Sequence, residues 1–185
     1  MTGFNTRKET DMAASPSTTN YFQGTGYALW TPKGGVQRDL GNIVECELTP
    51  SVEKLEHKKS RGGSKKTDFT QYNNQAVTIR LVLDEITAEN LALIFMSDVT
   101  SDTDSKTLRV MSKSVIEGSL IFTGDNNVGN KVSGSFPSVS FGPTSSFSPI
   151  SGDDFGQIEI TGDLLATEHT DGTSDFGTIT VVDAA

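Results

Sequence analysis

The residues able to do chemistry are few and scattered. His57 lies in a lysine-rich stretch and His169 in an acidic one, and neither has a Cys or a second His at ligand spacing. A zinc site is therefore not predicted, and both histidines read as exposed side chains. Gly24-Thr25-Gly26 lacks the preceding strand and third glycine of a dinucleotide-binding loop. No Lys-Ser or Lys-Thr follows it at the spacing of a phosphate-binding loop, so it reads as a turn. Asp153-Asp154 and the Asp171 to Asp175 cluster lack the alternating oxygen ligands, ending in Glu, of a strong calcium loop, and read as solvated turns. Cys46 falls inside a strand-like pattern, where a reduced thiol behaves as a small core residue. The expectation is a protein that is not an enzyme and has no cofactor and no metal.

Charge is the more informative signal. The chain has 185 residues and a formal net charge of -9. That length suits one domain with its own core. Between two strand-like runs, Asn42 to Leu48 and Gln75 to Leu83, lies a long connection carrying Lys54, Lys58, Lys59, Arg61, Lys65 and Lys66 around Gly62-Gly63. Beyond Lys131 there is no Lys or Arg, while Asp153, Asp154, Glu159, Asp163, Glu168, Asp171, Asp175 and Asp183 follow. A basic arm and an acidic half on one molecule favour self-association, and the net charge disfavours tight wrapping of nucleic acid. A solvated loop that contacts nothing is the plainer reading of the basic run; its length argues for a partner. The longest apolar run, Leu91 to Met96, is too short to span a bilayer. Arg7, Lys8, Glu9 and Asp11 stand where a signal peptide would need apolar residues, which predicts synthesis in a cytoplasm and no membrane partner.

The elements that must position these groups read as mainly β. Residues 1–20 are polar and predict a flexible N-terminal arm. A strand at Tyr27 to Trp30 stops at Pro32 and Gly34-Gly35. The next puts Val44, Cys46 and Leu48 on one face and Glu45 and Glu47 on the other. Val77, Ile79, Leu81 and Leu83 alternate with Thr78, Arg80, Val82 and Asp84, the cleanest period of two in the chain. One helix is predicted over 87–97, with Thr87 as cap, Glu89 in the first turn and Leu91, Ile94 and Phe95 on one side. Ile86 and Leu91 are spaced as a hydrophobic staple. Further strands are expected at Thr107 to Met111, Ser114 to Thr123, Lys131 to Phe141 and Gln157 to Leu165, with Pro137 marking a bulge or an edge. Asp154-Phe155-Gly156 and Asp175-Phe176-Gly177 each precede a short apolar alternation. The second copy, within 167–185, reads equally as a strand lent to a neighbour or as the last strand of its own sheet. The predicted fold is an antiparallel β-sandwich or partial barrel over 21–166, with one short flanking helix, a long loop at 50–71 and terminal arms.

Gly35, Arg38, Leu40-Gly41-Asn42, Leu48-Thr49-Pro50-Ser51, Glu53, Leu55, His57, the basic glycine loop, Asp68, Asp84-Glu85-Ile86-Thr87 and Glu89-Asn90-Leu91-Ala92 together resemble the major tail tube protein of long, non-contractile-tailed bacteriophages. The likeness runs from Gly35 to Met96; the C-terminal part shares only strand-rich, acidic character. It implies a structural virion protein whose hexameric rings stack into a tube, with an inner β-barrel lining a channel for the genome. The long loop would reach the adjacent ring through Lys58, Lys59, Arg61, Lys65 and Lys66. Glu45, Glu47, Thr78, Gln157 and Glu159, opposite the buried positions, are candidates for the lumen. The implied partners are further copies of the chain, tail proteins such as the tape measure and terminator, and passing DNA; the implied location is the host cytoplasm, then the virion tail. The alternative is a carbohydrate-binding or adhesive β-sandwich using Trp30, Tyr21, Tyr27 and Tyr72 as aromatic platforms.

Overall fold

The computed structural model describes residues 16–143, 147, 152 and 155–183. The chain order is β1 (Gly24–Pro32), β2 (Arg38–Asp39), β3 (Ile43–Lys59), β4 (Lys66–Leu83), α1 (Ala88–Ile94), β5 (Val99–Ser101) and β6 (Lys106–Leu108). Then follow β7 (Ile116–Asn126), β8 (Lys131–Gly142), β9 (Ile158–Leu164), β10 (Thr167–Glu168), β11 (Ser174–Asp175) and β12 (Thr178–Val182). The mainly β, antiparallel, sandwich-like fold with one helix is as expected. One eight-stranded sheet runs β2-β1-β7-β8-β9-β4-β3, with β12 added to β8, and β5-β6 and β10-β11 form two small ribbons.

One face of the large sheet is apolar because the alternating residues of its strands point the same way. Ala28 and Trp30, Ile79, Leu81 and Leu83, Leu120, Phe136, Val139 and Phe141, and Ile158, Ile160 and Leu164 are all buried in one cluster. Trp30 and Phe141 meet at its centre, ring centroids 4.7 Å apart and tilted by 53°. α1 lies across this face and adds Leu93 and Ile94. Thr87 caps it as its sequence predicts, with the Asn90 amide donating to Thr87 Oγ1 at 3.1 Å. The helix is shorter than the expected 87–97. Leu91, Ile94 and Phe95 pack on the core, whereas Ile86 stays exposed and does not join the core.

The long connection at 50–71 is the main correction. It is no irregular loop: β3 and β4 stay paired from Ile43↔Leu83 to Lys59↔Lys66, so a two-stranded ribbon replaces it. Its charged residues set its composition, and Val52, Leu55, Phe69 and Tyr72, spaced by three within each strand, hide the period of two, while Thr67 and Thr70 are strand-forming side chains. The turn falls at Gly62 and Gly63, both at φ +93, a left-handed conformation that side chains with a Cβ avoid.

Smaller differences, and one agreement, are local. A shift between Ile43 and Glu45 makes Val44 a bulge, so it is exposed and Ile43, not Val44, joins Cys46 and Leu48 against the core. Gly24-Thr25-Gly26 is strand, not turn. A Cβ on Gly26 would meet the Thr123 carbonyl oxygen at 2.3 Å, so glycine there permits the close approach of β7. The strand expected to reach Met111 stops at Leu108, and Met111 has φ +58. Pro137 sits at a register shift between β7 and β8, the bulge that its missing N–H predicts. The C-terminal segment pairs within its own chain, Thr178↔Ser135 to Val182↔Lys131, and Phe176 packs on the core, so of the two readings of this segment the last strand of its own sheet is the one observed. Of the expected N-terminal arm, residues 1–15 lie outside the described residues, as do Asp153 and Asp154, and Thr18–Asn20 forms a 3-10 turn capped by Ser17.

Candidate functional site

Three surfaces stand out, and β3 and β4 run through all of them. The first is the polar face of the sheet. Register carries Glu117 across to Ser140, Asp163, Thr78 and Thr49, and the next row joins Gly142, Thr161, Arg80 and Glu47. Glu45 and Glu159 flank Val82. Arg80 ties these rows together: Nη1 donates to Glu45 at 2.7 Å and Nη2 to Glu159 at 2.8 Å, with Glu47 at 3.8 Å. One guanidinium beside three carboxylates leaves this corner negative, and its own pKa is raised further by hydrogen bonding to Glu159 and Glu45. Three of the five expected lumen residues, Glu45, Glu47 and Glu159, are thus brought together. Gln157 lies just before β9, exposed, and Thr78 is exposed on the same face as Arg80. Arg80 as the organiser was not singled out from sequence; a lone Arg between Ile79 and Leu81 on a two-faced strand is the signal that could have found it.

The second surface is the ribbon. β9 pairs with β4 only from Val77 to Leu83, so among the described residues Lys66 to Ala76 has a strand partner on one edge alone. About nine residue pairs at roughly 3.3 Å each carry the tip about 30 Å past the sheet. Lys58, Lys59, Arg61, Lys65 and Lys66 are all exposed there. Lys59 and Lys66 stand directly opposite one another, an unfavourable pairing that an anionic partner would relieve. Lower down, Lys54 pairs with Glu56, and His57 Nδ1 lies 2.6 Å from Asp68. The hydrogen bond from Lys54 holds the Glu56 carboxyl below its usual range.

The third is the junction at the opposite end of β3 and β4. Asn90, buried, accepts from Arg38 Nη1 at 2.7 Å and donates to the carbonyls of Leu40 at 2.9 Å and Glu85 at 3.0 Å. The Asn42 side chain donates to Asp84 and its amide to Glu85, at 2.7 and 3.0 Å. Many residues that carry the family resemblance, Arg38, Leu40-Gly41-Asn42, Asp84-Glu85 and Asn90, meet here, and they hold α1 to the sheet.

Chemistry elsewhere is sparse. His169 Nε2 faces Asp175 at 2.9 Å in the β10–β11 ribbon, and Asp171 accepts from Thr173, whose hydroxyl and amide lower its pKa. Cys46 is half-buried, and burial pushes its thiol up to about 11, away from nucleophilic use. Among the described residues no three of His, Cys, Asp and Glu are grouped to hold a metal. Among them, too, no helix is long and apolar enough to cross a membrane. Trp30 is fully buried, so the aromatic platform of the adhesive reading loses its largest member, leaving Tyr21, Tyr27 and Tyr72 exposed on separate strands or loops.

A family model described as "Protein of unknown function UCP028589" matches residues 19–107. The match takes in β1 to β5, the ribbon, the junction and α1, and stops short of β7 to β12. No curated protein matches the chain.

Proposed function

We propose that this chain is a structural virion protein, the subunit of a phage tail tube of the long, non-contractile kind. Six copies close into a ring and rings stack into a conduit for DNA. The observation that carries the reading is the β3–β4 ribbon, basic at its tip, to which no further strand pairs among the described residues of an acidic body. A two-stranded ribbon is marginal alone in water. Identical subunits with a projecting basic element and an acidic remainder make a heterologous contact that propagates instead of closing on itself. The polar face of β3, β4, β9 and β8, with Glu45, Glu47, Glu159 and Asp163, suits a lumen that repels phosphate so the genome slides. Host cytoplasm is the place of synthesis and the virion tail the destination, with tape measure and terminator proteins as further partners.

Microscopy and sedimentation of the purified chain across protein and salt concentration test this. Rings or tubes are expected under some condition, and a chain that stays monomeric at every one contradicts it. Reversing Lys58, Lys59, Arg61, Lys65 and Lys66 to Glu together should stop polymerisation without unfolding the subunit. Single reversals should do little, because exposed pairs are each worth about 0 to 1 kcal/mol. Tubes should retain duplex DNA no more tightly than free subunits at physiological salt.

A further inference from the structure

A hollow of about 210 Å³ lies on the polar face of the sheet, over β4, β8 and β9. Oxygen dominates its lining: the hydroxyls of Thr78, Ser140 and Thr161 and the carboxylate of Asp163, with Gly142 and Gly162 adding backbone. Register gathers them. Ser140 and Thr78 stand on either side of Asp163, and one row on, Gly142 and Arg80 stand on either side of Thr161. Gly142 has no side chain, so the space beside Thr161 stays open.

Two of these groups are without partners among the described residues. Asp163 is exposed and makes no hydrogen bond or ion pair. Thr161 Oγ1 is shielded from solvent and has no hydrogen-bond partner either, which a buried hydroxyl rarely lacks. Thr78 donates its proton to the Thr49 carbonyl at 3.5 Å, so its oxygen is left to accept. No cationic group lines the hollow, and the Arg80 guanidinium beside it is held by Glu45 and Glu159. A group that suits this lining carries positive charge and donates several hydrogen bonds. An alkylammonium does both, with three N–H donors for one carboxylate and two hydroxyl oxygens. A divalent cation suits it less, because such ions favour carboxylate and carbonyl ligands, and among the described residues no three of His, Cys, Asp and Glu are grouped to hold a metal.

The same face carries a second anionic group along β9. Glu159 lies four residues before Asp163 and points to the same side, about 13 Å away at roughly 3.3 Å per residue. There Glu45, Glu47 and Glu159 share the single guanidinium of Arg80. With Asp163, four carboxylates stand against one guanidinium, a net charge of -3. We propose that this strip binds a linear polyamine. One terminal ammonium sits in the hollow against Asp163, Ser140 and Thr78, the other meets Glu159 and Glu47, and the methylene chain crosses Thr161. The site lies within one subunit, so the proposal does not rest on the assembly reading above.

The test titrates spermidine, putrescine and magnesium chloride separately into the full chain by calorimetry at fixed ionic strength. Spermidine, long enough to approach both groups, should bind at least tenfold more tightly than putrescine, and magnesium at equal charge should not displace it. Asp163→Asn, an exposed change of the same shape, should weaken spermidine at least tenfold, and Thr161→Val should weaken it by a smaller factor. Glu168→Gln removes the same charge elsewhere on the exposed surface and should leave binding unchanged. A photoreactive spermidine analogue supplies a readout that needs no variant: its cross-links should fall within 138–142 and 157–163. Equal losses in Asp163→Asn and Glu168→Gln would reveal attraction of diffuse counterions only and overturn the site. So would spermidine no tighter than putrescine, displacement by magnesium at equal charge, or cross-links spread over the acidic surface.

Discussion

β4 is one strand in two environments, and the contrast between its halves explains more than any single residue does. From Val77 to Leu83 it is paired on both edges, with Ile79, Leu81 and Leu83 at 1% exposure or less. From Lys66 to Ala76 it is paired on one edge, and Phe69 and Tyr72 stand in solvent. The pairing with β3 runs through both halves, with bulges at Asn74 and Asp68 in the second, and the larger change is in what covers the side chains. The first half is held by the subunit's own core. The second has strand geometry without a core, the feature on which the proposed assembly rests.

The largest effect should come from removing equal amounts of side chain from the two halves of the ribbon strands. Leu81→Ala should destabilise the free subunit by about 2 to 5 kcal/mol, since a cavity opens in a closed core. Leu55→Ala should stay within about 0.5 kcal/mol, as an exposed change does. Urea unfolding of both variants measures the difference; equal losses would mean the ribbon already has a packed partner within the subunit.

A middle-sized effect is expected at the junction. Asn90→Ala removes an acceptor from Arg38 and leaves the Leu40 and Glu85 carbonyls without their donor, at a cost of about 2 kcal/mol. It should loosen α1 and leave the ribbon's hydrogen exchange unchanged. Ribbon amides that exchange faster in this variant would show that the two ends of β3 and β4 are coupled.

Acid should act on both regions weakly and with the same sign. Glu89 in the body is held low by its hydrogen bond to Lys106, Asp125 by Lys131, and Glu56 in the ribbon by Lys54. A carboxyl whose folded pKa is depressed contributes stability above its unfolded value, about pH 4, and that contribution is lost as pH falls through the folded value. The thermal midpoint should therefore fall between pH 6 and pH 3 by a small amount, because all these pairs are exposed. A midpoint that rises on acidification would contradict the assignments.

Much of the body was legible in the sequence because a two-residue period is visible wherever one face is buried. Val77 to Leu83 and Gln157 to Leu165 show it plainly, and α1 announces itself through Thr87 and Glu89. The ribbon was not legible as strand, because periodicity reports burial and neither of its sides is buried in the subunit. Its Lys, Glu and Gly content reads as loop by composition, while its long-range pairing leaves no local mark. The junction was visible only as residues that carry a resemblance, and the Arg80 cluster only as isolated charges, since pairings between residues 35 to 79 positions apart lie in topology. Val44 shows the smaller failure: one bulge puts Ile43 in its place on the core side, while Cys46 and Leu48 keep the faces that the alternation predicts.

Hydrogen exchange along β4, read in the free subunit and again after assembly, bears on the central claim most directly. Amides from Val77 to Leu83 should be strongly protected in both states. Those of Lys66 to Ala76 should exchange quickly in the free subunit, at least wherever β3 does not pair them, and slow markedly once rings stack. Equal protection of Lys66 to Ala76 before and after assembly would contradict the account, because the ribbon would then owe nothing to a neighbour.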